Sequence, residues 1–390
     1  MKEILTKNLN PSQTEAVLYI KGPLIIFAGA GTGKTRVITH RIAYLLSLGV
    51  EPQSILAVTF TNKAASEMKR RISDLIPGTG ANALVLTFHS FCAHFLHAEA
   101  SRINLNPNFS IYDFIDQKNV VKDCIKELNI DEKRFKLSTI ANKISRAKDD
   151  LKFPSDMSAE AKYAGDFFGT TAAKIYELYQ KKLERADAVD FGDLIMRTVS
   201  ALQQHLELLE RYREKCKYIM VDEYQDTNHA QYTFIKLLAG KHRNICVVGD
   251  DDQSVYSWRG ADINNILDFE KDYPNAKSVK LEQNYRSTPK ILSTANQVVK
   301  HNNARISKRL WTQNPDNGSV TVLKALNENN EAEKIAEKIT ELIYLSMYGN
   351  KYKFSDFAVF YRTNAQSRTF EDAFRSSRIP YTVVRHATVL

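Results

Sequence analysis

Five short runs are continuously or almost continuously apolar: Leu24–Phe27, Ile55–Phe60, Leu84–Phe88, Tyr218–Val221 and Ile245–Val248. Runs of this length, bounded by polar or glycine-containing stretches, predict strands buried on both faces. Helical spacing lies between some of them. Over 36–48, Val37, Ile38, Ile42, Leu45 and Leu46 share one face, and Gly49 follows as a stop. Strand–helix alternation of this kind predicts a parallel α/β sheet with right-handed crossovers. From about 96 to 189 the strand signal disappears and the pattern becomes polar and helical. A second α/β pattern begins near 278 with "SVKL", followed by "SVTVL" at 319–323, a helix over 331–347 and "FAVFY" at 357–361. Internal repeats and low-complexity tracts are absent from the sequence.

Composition narrows the class without fixing the function. The chain has 390 residues, 43% apolar and 25% charged, which suits a globular protein of two or three domains. No stretch approaches the roughly 20 apolar residues of a membrane span, and "MKEILTKNLNPSQ" has no signal-peptide core. The net charge of +9 and pI near 9.1 are compatible with a polyanionic partner and equally with a solvated surface. The helical stretch from Gln117 to Lys152 holds 10 Lys/Arg against 6 Asp/Glu. Cys92, Cys124, Cys216 and Cys246 are far apart, with no CxxC pair and no zinc spacing. They predict free thiols in a reducing cytoplasm rather than a disulfide framework.

Candidate chemistry starts at "LIIFAGAGTGKT", 24–35, a strand running into a glycine-rich turn and a helix. Glycines admit positive φ and let backbone N–H groups approach phosphate oxygens, while the helix N-terminus favours an anion. Lys34 can reach the outer phosphates and Thr35 can hold Mg²⁺. The standard pattern has Gly six positions before the lysine; here that position is Ala28, followed by Gly29, Ala30, Gly31, Thr32 and Gly33, with Arg36 after Thr35. "YIMVDEYQDT", 218–227, places Asp222 and Glu223 at a strand end, where ligands bind in open α/β sheets. Acids there also serve as helix caps. Beside a phosphate loop they suit a metal ligand, Asp222, and a base for water, Glu223. Gln13, in "NLNPSQTEAV", carries a donor and an acceptor that match an adenine edge, although alone it reads as a plain helix residue. "VVGDDDQSVYSWRGA", 247–261, combines three acids, an amide, two aromatics and an arginine within a few turns of chain.

These segments, with "TFTNKAASEM" (59–68), "LTFHSF" (86–91), "DFGDL" (190–194), "LEQNYRST" (281–288) and "YRTNAQSR" (361–368), follow one another in the order found in the UvrD/Rep/PcrA type of superfamily 1 DNA helicase, which the chain resembles over almost its whole length. The resemblance implies a RecA-like P-loop NTPase sheet with an inserted helical subdomain and a second RecA-like domain. ATP would lie between the two, and single-stranded DNA would run across both with 3′→5′ polarity. It makes Ala28 an accepted variant, Gln13 the adenine reader, Gln253 the γ-phosphate sensor, Tyr285 a ring stacked on adenine and Arg286 an arginine finger. It assigns DNA contacts to Phe60, Thr61, Asn62, Lys63, His89, Phe191, Tyr256, Trp258, Arg259, Arg362 and Asn364. Phe91 suits either DNA or the core, and the family often has Asp where this chain has Gly192.

On this resemblance the first RecA-like domain is expected over 1–95 and 190–278, the helical insertion over 96–189 and part of a second RecA-like domain over 279–390. "IPYTVV", 379–384, matches a hinge strand, and the later helicase motifs are not found after it. The expectation is therefore the front part of a helicase that binds Mg·ATP, single-stranded DNA and 3′-tailed duplex, hydrolyses ATP slowly and unwinds weakly. Repair or replication proteins are expected partners, and a membrane is not. The competing reading is a nucleotide-gated single-strand-binding module that does not unwind; stacking residues alone do not separate DNA from RNA.

Overall fold

The computed structural model describes residues 2–384 except 79, 303, 304, 317, 348, 350 and 351, and leaves aside the side chains of 81, 259 and 347. The chain divides into two compact units, Met1–Asn317 and Gly318–Leu390.

All five expected strands form in the first unit: β1 (Leu24–Ala28), β2 (Ile55–Thr59), β3 (Leu84–Thr87), β6 (Tyr218–Val221) and β7 (Ile245–Gly249). A sixth, β8 (Lys277–Leu281), pairs in parallel with β1, so "SVKL" closes the edge of this sheet rather than opening another. The order is β3-β2-β6-β7-β1-β8, and every pairing is parallel. Alternation along β1 sends Ile25 and Phe27 into one core cluster and Leu24, Ile26 and Ala28 into the other. Burial on both faces explains why these strands read as unbroken apolar runs. Helix Lys34–Ser47 covers one face, and Gly49 follows it with a φ of 82° that suits glycine.

Residues 114–185 are helical: Phe114–Glu127, Leu137–Asp149, Pro154–Tyr163 and Phe167–Arg185 pack around their own core, with Ile140, Ile144, Tyr176 and Tyr179 fully buried. Two three-residue strands, β4 (Ser110–Tyr112) and β5 (Ala188–Asp190), pair in parallel at its base. The sequence does not announce them, because three residues carry too little periodicity. Lys148, fully buried, lies 2.7 Å from Asp190 and 2.9 Å from Asp193, both at the start of helix Phe191–Gln204. That lysine also accounts for Gly192. A Cβ there would come within 2.9 Å of the Lys148 stem, so a larger residue would displace the ion pair.

In the second unit, helices Glu328–Met347 and Ser367–Ser376 pack around Ala336, Ile339, Phe374 and Ile379. The expected strands "SVTVL" and "FAVFY" take no ladder hydrogen bonds among the described residues; Val322 and Phe360 are exposed. A β-type sequence becomes a strand only beside a partner, and neither segment finds one there.

Candidate functional site

The C-terminal ends of β6, β7, β1 and β8 are adjacent in the sheet. They deliver in turn Asp222–Asp226, Asp250–Gln253, Gly29–Thr35 and Glu282–Arg286 to one rim. Four segments scattered over more than half the chain therefore meet where open parallel sheets bind ligands.

The glycine loop leaves β1 at Ala28, which is extended, fully buried and paired with Leu281. No positive φ is required there, which is why alanine fits the position. Positive φ begins at Gly31 (69°) and Gly33 (91°). Gly33 starts helix Lys34–Ser47 without a side-chain cap, so the first helical amides remain available to an anion. The loop is braced from inside by Thr32, whose hydroxyl donates to the Gly29 carbonyl at 2.7 Å. From one side it is braced by Gln13, only 1% exposed, whose Nε2 donates to the Thr32 carbonyl at 2.9 Å while Oε1 accepts from Asn10 N. Gln13 thus holds the phosphate loop in place, a duty its sequence context does not reveal, and each polar atom of its amide already has one partner. Asn10 donates from Nδ2 to the Tyr285 hydroxyl at 2.9 Å, so Tyr285 and the Gln13 helix share one corner of the rim.

At the end of β6, Asp222 is buried and accepts from Glu223 N at 3.0 Å. Burial, reinforced by the Glu223 carboxylate and opposed by Lys34, pushes its carboxyl up to about 7. Glu223 takes the left-handed conformation (φ 50°), unusual for a residue with a side chain, and meets Lys34 Nζ at 2.8 Å. Gln225, buried and not distinguished by the sequence, joins two strand ends. Its Nε2 donates to Glu223 Oε2 at 2.9 Å, and its Oε1 accepts from Asp250 N at 3.0 Å. Gly249 leaves the space that this amide occupies.

The β7 loop holds Gln253 through a short Nε2 contact to Asp250 Oδ2. The next five residues of chain bring up Tyr256 and Trp258, 36% and 57% exposed, with ring centroids 6.4 Å apart. The backbone of Gly260 lies in the left-handed region and closes this turn on Ser257. The Arg259 side chain lies outside the described residues. Asn62 and Lys63 are exposed in the first turn of helix Asn62–Leu75, which Thr61 caps by accepting from Ala64 N at 3.1 Å. The Thr61 oxygen is therefore already engaged as an acceptor. Phe60 sets its ring edge-on to Phe88. His89 and Phe191 meet edge-to-face at 5.5 Å. Burial drives the His89 imidazole down to about 4, so near neutral pH it presents an uncharged ring rather than a phosphate-binding cation. Phe91 is a core residue packed on Phe234 and Tyr212.

Arg286 is exposed, and its backbone is fixed by Asn284. Asn284 Oδ1 accepts from Arg286 N and Ser287 N, and its Nδ2 donates to the Ala30 carbonyl at 2.6 Å. In the second unit, Arg362 and Asn364 are exposed in a turn organised by Gln366, whose Oε1 accepts from Arg362 N at 2.9 Å. Thr35 and Arg36 are half-buried at the helix start.

The UvrD/REP helicase N-terminal domain matches residues 9–274, and the UvrD-like helicase C-terminal domain matches 279–389. The chain belongs to the UvrD/Rep helicase family. Its sheet is thus the RecA-like P-loop sheet of that family. It is 51% identical over 381 residues to the ATP-dependent DNA helicase PcrA of Staphylococcus epidermidis, an alignment spanning 97% of this chain and 51% of that protein. It is 50% identical to the ATP-dependent DNA helicase PcrA of Staphylococcus aureus, with the same coverage. The chain spans about half the length of the curated relatives it matches. Among the described residues, no helix of this UvrD/Rep family member is long and apolar enough to cross a membrane.

Proposed function

We propose that the chain is an ATP-hydrolysing motor of the 3′→5′ type that moves along single-stranded DNA. The carrying observation is the convergence of the glycine loop, Asp222–Glu223, Gln253 and Arg286 on the ends of adjacent strands. In this reading the amides from Gly29 to Thr35 cradle the phosphates and Lys34 neutralises the outer ones. Thr35 and Asp222 supply hard oxygen ligands for Mg²⁺. The fit is chemical: Asp222 and Glu223 are two adjacent carboxylates sharing Lys34, and Asp222 is pushed up to about 7 by burial and by Glu223, so a further cation is favoured there. The ion, when bound, screens the negative charge that the phosphates bring.

Glu223 exchanges its Lys34 contact for the attacking water and takes the water's proton. Gln253 senses the γ-phosphate. Arg286 stabilises the charge that develops on it, a contribution of roughly 10³–10⁵ in rate where such fingers operate. Tyr285, hydrogen-bonded to Asn10 of the Gln13 corner, offers a platform for adenine. Because Gln253 and the Tyr256–Trp258 pair share one short loop, loss of the γ-phosphate would move the stacking platform. Phe60, Asn62, Lys63, His89, Phe191 and Arg259 complete the DNA-binding set of the first unit, and Arg362 and Asn364 are the DNA contacts proposed for the second, with 3′-tailed duplex as substrate and repair or replication proteins as partners. Four free cysteines, all buried, suit the cytoplasm.

The test is ATP hydrolysis by the purified chain with and without single-stranded DNA, repeated with RNA. Stimulation by DNA supports the motor. Tight, nucleotide-dependent DNA binding without turnover would favour the gated binding module instead. For these 390 residues alone we expect slow hydrolysis and weak unwinding, since the second unit carries no paired strand among its described residues.

A further inference from the structure

Asp250, Asp251 and Asp252 bring ligand oxygens within 4.8 Å of one another, a spacing that could hold a cation. The position is taken by a side chain. Lys308 Nζ lies 2.9 Å from Asp250 Oδ1, 2.9 Å from Asp252 Oδ2 and in contact with Asp251 Oδ1, and the residue is 7% exposed. Arg305 adds a two-pronged pair to Asp252, at 3.1 Å from Nε and 2.8 Å from Nη2. Ile306 N donates to Asp251 Oδ2 at 2.8 Å. The segment 305–308 thus grips the loop that carries Gln253.

The same segment continues straight onto the phosphate loop. Leu310 covers Gly29 so closely that any Cβ there would overlap it. Trp311 N donates to the Glu282 carbonyl at 3.0 Å, and the Trp311 carbonyl accepts from Asn284 N at 2.7 Å. Asn284 is the residue that fixes both Ala30 and the backbone of Arg286.

We infer that residues 305–311 form a strap in which Lys308, as a built-in cation, positions the γ-phosphate-sensing loop of Gln253 relative to the glycine loop and Arg286. The Lys308 ammonium is taken up by the three carboxylates of the Gln253 loop, so it acts through that loop as a positioning residue. A displacement of Gln253 is passed through Asp250–Asp252 and Lys308 to Leu310 and Asn284, so sensor and finger move together. The inference rests on the reading of Gln253 and Arg286 as γ-phosphate contacts, but the cation-replacing part of it does not.

Lys308→Met in the full 390-residue chain separates positioning from folding. Expected is affinity for a fluorescent ATP analogue within about threefold of wild type, while DNA-stimulated turnover falls about tenfold or more with KM for ATP little changed. A folded variant whose turnover stays within about twofold of wild type would overturn the role. Should the single variant fail to fold, Asp251→Asn with Lys308→Met removes one acid together with the cation, and the same criteria apply. In parallel, millimolar Ca²⁺ should raise the melting temperature of Lys308→Ala by several degrees more than that of wild type, which shares the Asp222 site, because the vacated carboxylates then bind additional metal only in the native state. Absence of that difference would show that Lys308 is not the resident cation. If wild type binds no nucleotide, the motor reading fails, and the Ca²⁺ comparison alone decides whether Lys308 holds the acidic loop.

Discussion

Lys34 and Glu223 neutralise each other across 2.8 Å, so the residue that would greet the phosphate and the base that would activate water begin as an ion pair. Replacing Lys34 by Ala removes a charge-assisted contact of about 1.5–3 kcal/mol, roughly tenfold to hundredfold in affinity for an ATP analogue. Fluorescence titration checks this, and an unchanged constant would remove Lys34 from the site. Trp258 is more than half exposed beside Tyr256, which puts a large aromatic ring at the surface of the loop that carries Gln253. Trp258→Ala should weaken single-stranded DNA binding by about 1–3 kcal/mol with little dependence on base sequence. Equal binding by variant and wild type would exclude stacking there. His89 behaves differently from what a basic contact would require. Its imidazole is held at about 4 by burial against an ordinary 6.5, so the unfolded chain takes up a proton that the folded chain refuses. Stability is therefore complete above pH 6.5 and declines as pH falls towards 4. His89→Gln should lose less stability over that interval, read by denaturant titration at pH 7 and pH 5. The two proteins should also bind DNA with the same pH profile above pH 6, whereas a steeper gain for wild type on acidification would identify a charged imidazole.

Between elements, the polar links decide geometry more than the apolar ones do. Helix Leu137–Asp149 of the helical insertion ends on Asp149, whose Oδ1 accepts from the Asn228 side chain at 2.7 Å. Asn228 in turn caps helix His229–Ala239, directly after the Asp222–Asp226 turn. Burial, then Asp150 and Asp190, push Asp149 up to about 7 from an ordinary 3.8. The folded chain thus keeps a proton that the unfolded chain releases, and stability declines as pH rises from 3.8 to about 7. Asp149→Asn preserves an acceptor for Asn228 and abolishes this loss. Its stability relative to wild type should improve from pH 5 to pH 8, and a difference that stays constant between those pH values would rule out titration of Asp149. Elements of this kind mark the limit of sequence reading. The strands β1, β2, β3, β6 and β7 are legible because burial on both faces leaves unbroken apolar runs, and the glycine loop because each local feature agrees with the next. Nothing local distinguishes Gln225, Lys148 or Lys308 from surface residues, since their meaning comes from partners 25, 42 and 57 positions away. Gln13 was legible as a candidate, but its brace on Thr32 was not. "SVTVL" and "FAVFY" have strand composition, yet pairing is a property of neighbours that composition does not supply.

For the molecule as a whole, the excess of 54 Lys and Arg over 45 Asp and Glu matters only where it faces a polyanion. Many of the cations are already committed: Lys308 and Arg305 to the acidic loop, Lys148 to Asp190 and Asp193, Lys34 to Glu223. Lys63, exposed in the first turn of its helix, has no comparable buried commitment. It is the residue from which a counterion-release effect is expected. Binding of single-stranded DNA should weaken linearly in log–log plots against salt, and Lys63→Ala should reduce the magnitude of that slope by about 0.7, the value for one phosphate contact on a single strand. The variant should lose affinity equally for all sequences, because a phosphate contact carries no base information. Trp258→Ala, by contrast, should lower affinity while leaving the salt slope in place, since stacking releases no counterions. Titrations of wild type and both variants at four salt concentrations distinguish the two kinds of contact. A Trp258→Ala slope that falls with its affinity, or a Lys63→Ala slope that does not change, would mean that the DNA track does not run from the Lys63 helix to the Tyr256–Trp258 platform.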